Sequence, residues 1–103
     1  MSLRLAWLLK DGVVVHGPVP MEPGAGADPT PVGSFRVEWK DKVHASGEFG
    51  EAMPNSVFFA PGGVAFHAGP LDTPSHGCIH LSADDSAVFF DDLSVGSAVE
   101  VVS

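Results

Sequence analysis

The chain is short of positive charge, has a single cysteine and lacks any apolar run long enough to cross a bilayer. Each shortage closes off a class of function. Five Lys and Arg stand against 13 Asp and Glu, for a formal net charge of −8. A phosphate backbone repels such a surface, and no Lys/Arg cluster overcomes the mean, so no nucleic-acid partner is expected. The same balance offers no basic face to an anionic membrane. Leu5 to Leu9 is a strand-length apolar run, far short of the roughly 20 residues a membrane span needs. The N-terminus has neither the basic opening nor the long apolar core of a signal peptide, so an exported form would have had its signal removed. One cysteine permits no internal disulfide. Internal repeats and low-complexity tracts are absent, and Gly24 and Gly26 lack the strand-to-helix context of a phosphate loop.

What remains reads as one small domain over residues 1–103. A chain this size has room for one core and buries roughly two-thirds of its unfolded surface. Apolar residues make up 45% and charged residues 17%, the balance of a folded globular protein. Twelve glycines and nine prolines imply many turns, and hence short strands more than long helices.

The pattern predicts strands with one helix near the end. Leu3–Leu9 and Val13–Val19 flank Lys10-Asp11-Gly12, and Asp-Gly between apolar runs signals a hairpin. Residues 20–29 read as a loop. Phe35 to Lys40 alternates with period two, a strand with one face buried. Asp41 to Ala52 has no clear period, and Gly47 and Gly50 suggest a mobile excursion. Ser56–Ala60 and Val64–His67 bracket the turn Pro61-Gly62-Gly63. Ser82 followed by Asp84 and Asp85 is a helix start, with a capping hydroxyl and acids where the helix dipole favours them. Ala87, Val88, Phe90 and Leu93 supply an apolar stripe at helical spacing, ended at Val95-Gly96. Ala98–Val102 reads as a closing strand. The fold class expected is mainly β, a small mixed sandwich or barrel-like sheet with one helix from the C-terminal half packed on it.

The chemistry concentrates around Cys78, in the run Ser75-His76-Gly77-Cys78-Ile79-His80. Free cysteine is among the most buried residue types, and a buried structural thiol is the bland reading. Apolar packing does not explain the histidines at 76 and 80, nor a glycine before the thiol that lets backbone approach closely. A thiolate generated by a neighbouring imidazole is the functional reading. The same side chains suggest zinc, since His76, Cys78 and His80 would share one face of an extended run. Same-face positions on a strand stand about 7 Å apart, too far to converge easily on one ion, so no metal is expected. His67, eleven residues upstream at the end of an apolar run, is the best general-base candidate across a short loop. His76 and His80 are its rivals. His16 and His44 have no evident partner and read as solvated, and Ser75 is either a turn residue or a supporting hydroxyl. Asp84-Asp85 and Asp91-Asp92 read as helix dipole and solvated face.

Several stretches resemble, in order, the L,D-transpeptidase catalytic domain of the YkuD type, in the short form associated with actinobacteria. Thr30-Pro31-Val32-Gly33-Ser34-Phe35 resembles the family's TPxGxF entry, and Met53 to Phe59 its MPxSVFF strand. Phe66-His67 resembles its histidine, and Ser75-His76-Gly77-Cys78 its nucleophile motif. The helix start at Leu81-Ser82 and the Val95-Gly96-Ser97 turn also fit. The resemblance implies a small β-rich fold and a cysteine acyl transfer on peptidoglycan stem peptides, with no cofactor and outside the membrane, in the cell envelope. By position, Cys78 is the implied nucleophile, His67 its base, and His76 the imidazole beside the thiol. The Ala68 carbonyl is implied to orient His67, and backbone N–H groups at Gly77 and Cys78 to meet the oxyanion. Phe66, Ser75 and His80 are the implied substrate contacts, with His80 where the family often has Arg or Asn. Carbapenem-type inhibitors are implied partners. Water as acceptor would make the site an L,D-carboxypeptidase, and an inactive site would leave a peptidoglycan-binding module.

Overall fold

The computed structural model describes residues 4–24, 30–45, 52–61, 63–72 and 77–102. Among these described residues eight strands and one helix follow in the order β1 (Leu5–Lys10), β2 (Val13–Pro20), β3 (Gly33–Arg36), β4 (Trp39–Ala45), β5 (Ala52–Ala60), β6 (Val64–Ala68), β7 (Ile79–Leu81), α1 (Ala83–Asp92) and β8 (Ala98–Val101). The mainly β class with a single packed helix is the one expected from the sequence.

Hairpin β1–β2 is antiparallel, and its turn holds Asp11 and Gly12 at φ 53° and 79°. Two successive positive φ values are what a two-residue hairpin needs to match strand twist, and Asp-Gly supplies them. β3 pairs with β8, and β4, β5, β6 and β7 form the central sheet in that order. The alternating run at 35–40 is not one strand. It breaks at Val37-Glu38, where the chain passes from one sheet to another. Val37 N–H donates to the Ser97 carbonyl at 2.8 Å and Glu38 N–H to that of Phe58 at 2.7 Å. Period-two patterning survives the crossing because Val37, 2% exposed, still points inward. Residues 41–45 continue β4 rather than leaving it; the proposed excursion over 46–51 lies outside the described residues.

The two faces of the central sheet are distinct. Val57, Phe59, Phe66, Ile79 and Leu81 face the main core, joined there by Phe89 of the helix. Phe66 centres an aromatic run, its ring 4.8 Å from Phe59 and 5.3 Å from Phe89. The helix begins where expected, with Ser82 Oγ accepting from Asp85 N–H at 3.1 Å. It ends earlier, Leu93 N–H closing on the Phe89 carbonyl at 3.0 Å. Its buried centre is Ser86 and Phe89, and Val88, Phe90 and Leu93 flank that line. Ser86 is satisfied by the Ala83 carbonyl and by Asn55 Nδ2, so a polar residue lies in the core at little cost. Lys40 reaches the helix end, donating to the Leu93 carbonyl at 2.7 Å with its ammonium 4.3 Å from the Phe90 ring centre.

His16 is not the solitary histidine expected. Its Nε2 lies 3.0 Å from Asp85 Oδ1, tying the hairpin to the first turn of the helix. No helix among the described residues is long and apolar enough to cross a membrane.

Candidate active site

Residues that alternate along adjacent strands put one set of side chains into the core and the other on the opposite face. β6 and β7 run parallel, with Phe66 opposite Ile79, His67 opposite His80 and Ala68 opposite Leu81. Since Phe66, Ile79 and Leu81 belong to the core, Ala65, His67, Cys78 and His80 fall on the other side. Cys78, half-buried just before β7, packs against a small cluster of Met53, Phe58 and Ala65. Its thiol points toward the Gly63 carbonyl, Sγ to O 3.4 Å. The parallel pairing sets His67 opposite His80, so Cys78, two positions before His80, lies diagonally across from His67 on the same face.

His67 is 4% exposed. Its Nδ1 lies 2.8 Å from the Ala68 carbonyl. A carbonyl oxygen only accepts, so Nδ1 carries the proton and, in the neutral ring, Nε2 carries the lone pair. That is the tautomer a base needs. The bond is local, to the next residue, so the ring is held by its own strand.

His80 sits beneath this imidazole. The two rings meet edge-on with centroids 4.9 Å apart, and His80 is 5% exposed. His80 Nδ1 lies 2.7 Å from the Pro70 carbonyl, which fixes its tautomer the same way. Gly69 covers it: an added Cβ there would come 2.7 Å from His80 Cδ2. On its other edge, β7 exchanges two backbone bonds with Glu22, at 3.0 and 2.9 Å, and Glu22 is in turn held by Arg4 at 3.2 Å. His80 is thus a buried neighbour of His67, directly across from it on β7.

Phe66, expected as a substrate contact, is not on this side of the sheet. Alternation places it in the core between Phe59 and Phe89, because its neighbour His67 faces the other way. Ser75 and His76 lie outside the described residues. Among the described residues no three His, Cys, Asp or Glu groups converge as a metal site requires.

Two features of the site went unassigned from the sequence. Trp39, 45% exposed, stacks flat on Phe58 with centroids 4.0 Å apart, extending the Cys78 cluster across to β4. Thr30 is 2% exposed and donates its hydroxyl to the Gly77 carbonyl at 2.7 Å. The Trp39–Phe58 pairing depends on strand register, which no local motif encodes. The Thr30 bond spans 47 residues.

Comparison with known proteins identifies the family and the fold. Residues 2–101 match the family model described as the YkuD L,D-transpeptidase catalytic domain. L,D-transpeptidase 1 of Mycobacterium tuberculosis is 33% identical over 103 aligned positions, covering 82% of this chain and 41% of that protein. Among solved structures, an L,D-transpeptidase from M. tuberculosis H37Rv superposes with a TM-score of 0.89 at 28% identity, over all of this chain and 55% of the other. LdtMt1 in complex with imipenem superposes with a TM-score of 0.78 at 31% identity, over 89% and 51%. The chain thus spans about half the length of the relatives it matches. With a family match over nearly its whole length, the chain belongs to the YkuD L,D-transpeptidase catalytic-domain family.

Proposed function

We propose that this domain transfers acyl groups between peptidoglycan stem peptides through a thioester on Cys78. His67 Nε2 takes the thiol proton as Sγ attacks the carbonyl after the third residue of a donor stem. The carbonyl oxygen becomes an oxyanion, met by backbone N–H groups at Gly77 and Cys78, each such donor being worth about 3 kcal/mol in the transition state. The intermediate collapses to the thioester, and the departing D-alanine amine takes the proton back from His67. An amine of a second stem then attacks the thioester, giving a cross-link and restoring the thiol; water in its place would give a carboxypeptidase.

The observation carrying this reading is the His67 bond to the Ala68 carbonyl, which leaves Nε2 as the basic nitrogen on the face that holds Cys78. Since a relative was solved in complex with imipenem, we propose that carbapenems acylate Cys78. His76 belongs to the same proposal as the imidazole beside the thiol. Ser75 and His80 are proposed as stem-peptide contacts, His80 also packing edge-on against His67, and the cell envelope as the place of action.

Intact-mass spectrometry with imipenem tests the proposal. Wild type is expected to gain one carbapenem adduct, Cys78→Ala none, and His67→Ala to acylate at least about 100-fold more slowly. Turnover of stem peptides retained in folded Cys78→Ala would sink it.

A further inference from the structure

Thr30 lies far from Cys78 in sequence, yet its hydroxyl both accepts and donates a hydrogen bond, the second to the residue before the cysteine. The Gly24 N–H donates to Thr30 Oγ1 at 2.8 Å, so the oxygen accepts there. A hydroxyl has one proton, and it goes to the Gly77 carbonyl at 2.7 Å. Both Thr30 and Gly77 are buried. Gly77 holds φ at 113°, a conformation that side-chain-bearing residues rarely adopt. The chain therefore turns sharply there, and the orientation of the following peptide plane has to be set by something.

We infer that Thr30 is the positioning residue that sets it. A trans peptide is planar, with its C=O and the next N–H pointing in opposite directions. Pinning the Gly77 oxygen toward the buried Thr30 hydroxyl turns the Cys78 N–H the other way, away from Thr30. That N–H is one of the donors assigned above to the oxyanion, so the role given to Thr30 rests on the acyl-transfer reading. The energetic logic is preorganisation: a donor aimed in advance needs no reorganisation as charge develops. The Thr-Pro start of the segment entering β3 thereby acquires a task in the reaction besides leading into a strand.

The test compares two reactions of the same thiol. Acylation by imipenem builds an oxyanion; alkylation by iodoacetamide displaces iodide at carbon and builds none. Thr30→Val keeps the shape and removes the hydroxyl. It is expected to slow acylation by about 10- to 100-fold, somewhat less than outright loss of an oxyanion donor, and to leave alkylation within about twofold. Thr30→Ser restores the hydroxyl and with it most of the acylation rate. If Thr30→Val does not fold, Thr30→Ala, which also removes the hydroxyl, takes its place with the same readouts. Wild-type acylation in the hydroxyl-free variant overturns the inference, and so does alkylation falling in step with acylation. Failure of Thr30→Ser to restore the rate does the same. A wild-type protein that alkylates but never acylates removes the acyl-transfer reading itself, and the role of Thr30 goes with it.

Discussion

Replacing Gly69 by alanine sets one methyl group against a buried imidazole. The added Cβ would stand 2.7 Å from His80 Cδ2, 2.8 Å from Cγ and 3.1 Å from Nε2. Ordinary contact begins near 3.4 Å, so the ring must retreat by about 0.7 Å. It has little room to do so. Nδ1 is tied to the Pro70 carbonyl at 2.7 Å, and the ring edge already meets His67 at a centroid separation of 4.9 Å. Backbone conformation is not the obstacle, since Gly69 lies outside the positive-φ region and its N–H bond to the Leu81 carbonyl survives the change. Overpacking of this kind costs about 1–3 kcal/mol. Taking about 2 kcal/mol, the melting temperature of a chain this size drops by about 8–16 °C. Displacement passed on to His67 costs rate as well: an error of about 1 Å in a catalytic group is worth about 100-fold, so imipenem acylation should fall at least about tenfold. The decisive arm is a double-mutant cycle. In a His80→Ala background the ring is gone, and Gly69→Ala should cost under about 0.5 kcal/mol further. An equal cost in both backgrounds, or a single variant that melts and acylates like wild type, refutes the steric account.

Two other predictions concern parts of the fold around the site. Phe66→Leu removes volume between Phe59 and Phe89 and should cost roughly 1–2 kcal/mol of stability, with acylation per folded molecule within about twofold of wild type. Weakened capture of imipenem at unchanged melting temperature would return Phe66 to the substrate side. Ser82→Ala removes the cap on Asp85 N–H and should lower stability by about 1 kcal/mol, or about 4–8 °C in melting temperature. Ser82→Thr should keep most of that cap, and equal losses in the two variants would mean that the hydroxyl bond is not what stabilises the helix start.

Legibility in the sequence followed the range of the interactions. The β1–β2 turn, the β5–β6 turn and the Ser82 cap each rest on residues within four positions of one another, and each appears at the place its local chemistry indicates. The candidate nucleophile and base were visible as residue types for the same reason. What a local pattern misses is the crossing at Val37-Glu38. Alternation continues unbroken through it, while the hydrogen-bond partner changes from the 96–97 turn to β5. The stripe legible in the sequence, Ala87, Val88, Phe90 and Leu93, packs in part on the core but omits its two buried residues, Phe89 and Ser86, and Ser86 does not look like a core residue. It becomes one only when Asn55 and the Ala83 carbonyl satisfy its hydroxyl. His16 looked solitary because its partner, Asp85, lies 69 residues away.

The misplacement of Phe66 shows how the fold makes a site out of a motif. Phe66 and His67 are adjacent in sequence, and a motif reading treats them as one unit. In a strand, adjacency means opposite faces, so the pair is split between two jobs. Phe66 joins Phe59 and Phe89 to hold the sheet against the helix, and His67 is delivered to the side where Cys78 packs. The parallel pairing of β6 with β7 completes the arrangement, because it brings Cys78 and His80 to the His67 side while Ile79 and Leu81 anchor the same strand in the core. A one-residue slip of β7 would bury Cys78 and expose Ile79, exchanging every side chain between faces. The bonds that resist such a slip are those of β6 on one edge and Glu22 on the other, with Thr30 holding the carbonyl just before the cysteine. Register, more than the identity of any one residue, is what brings a cysteine and a histidine eleven positions apart to the same face of one sheet.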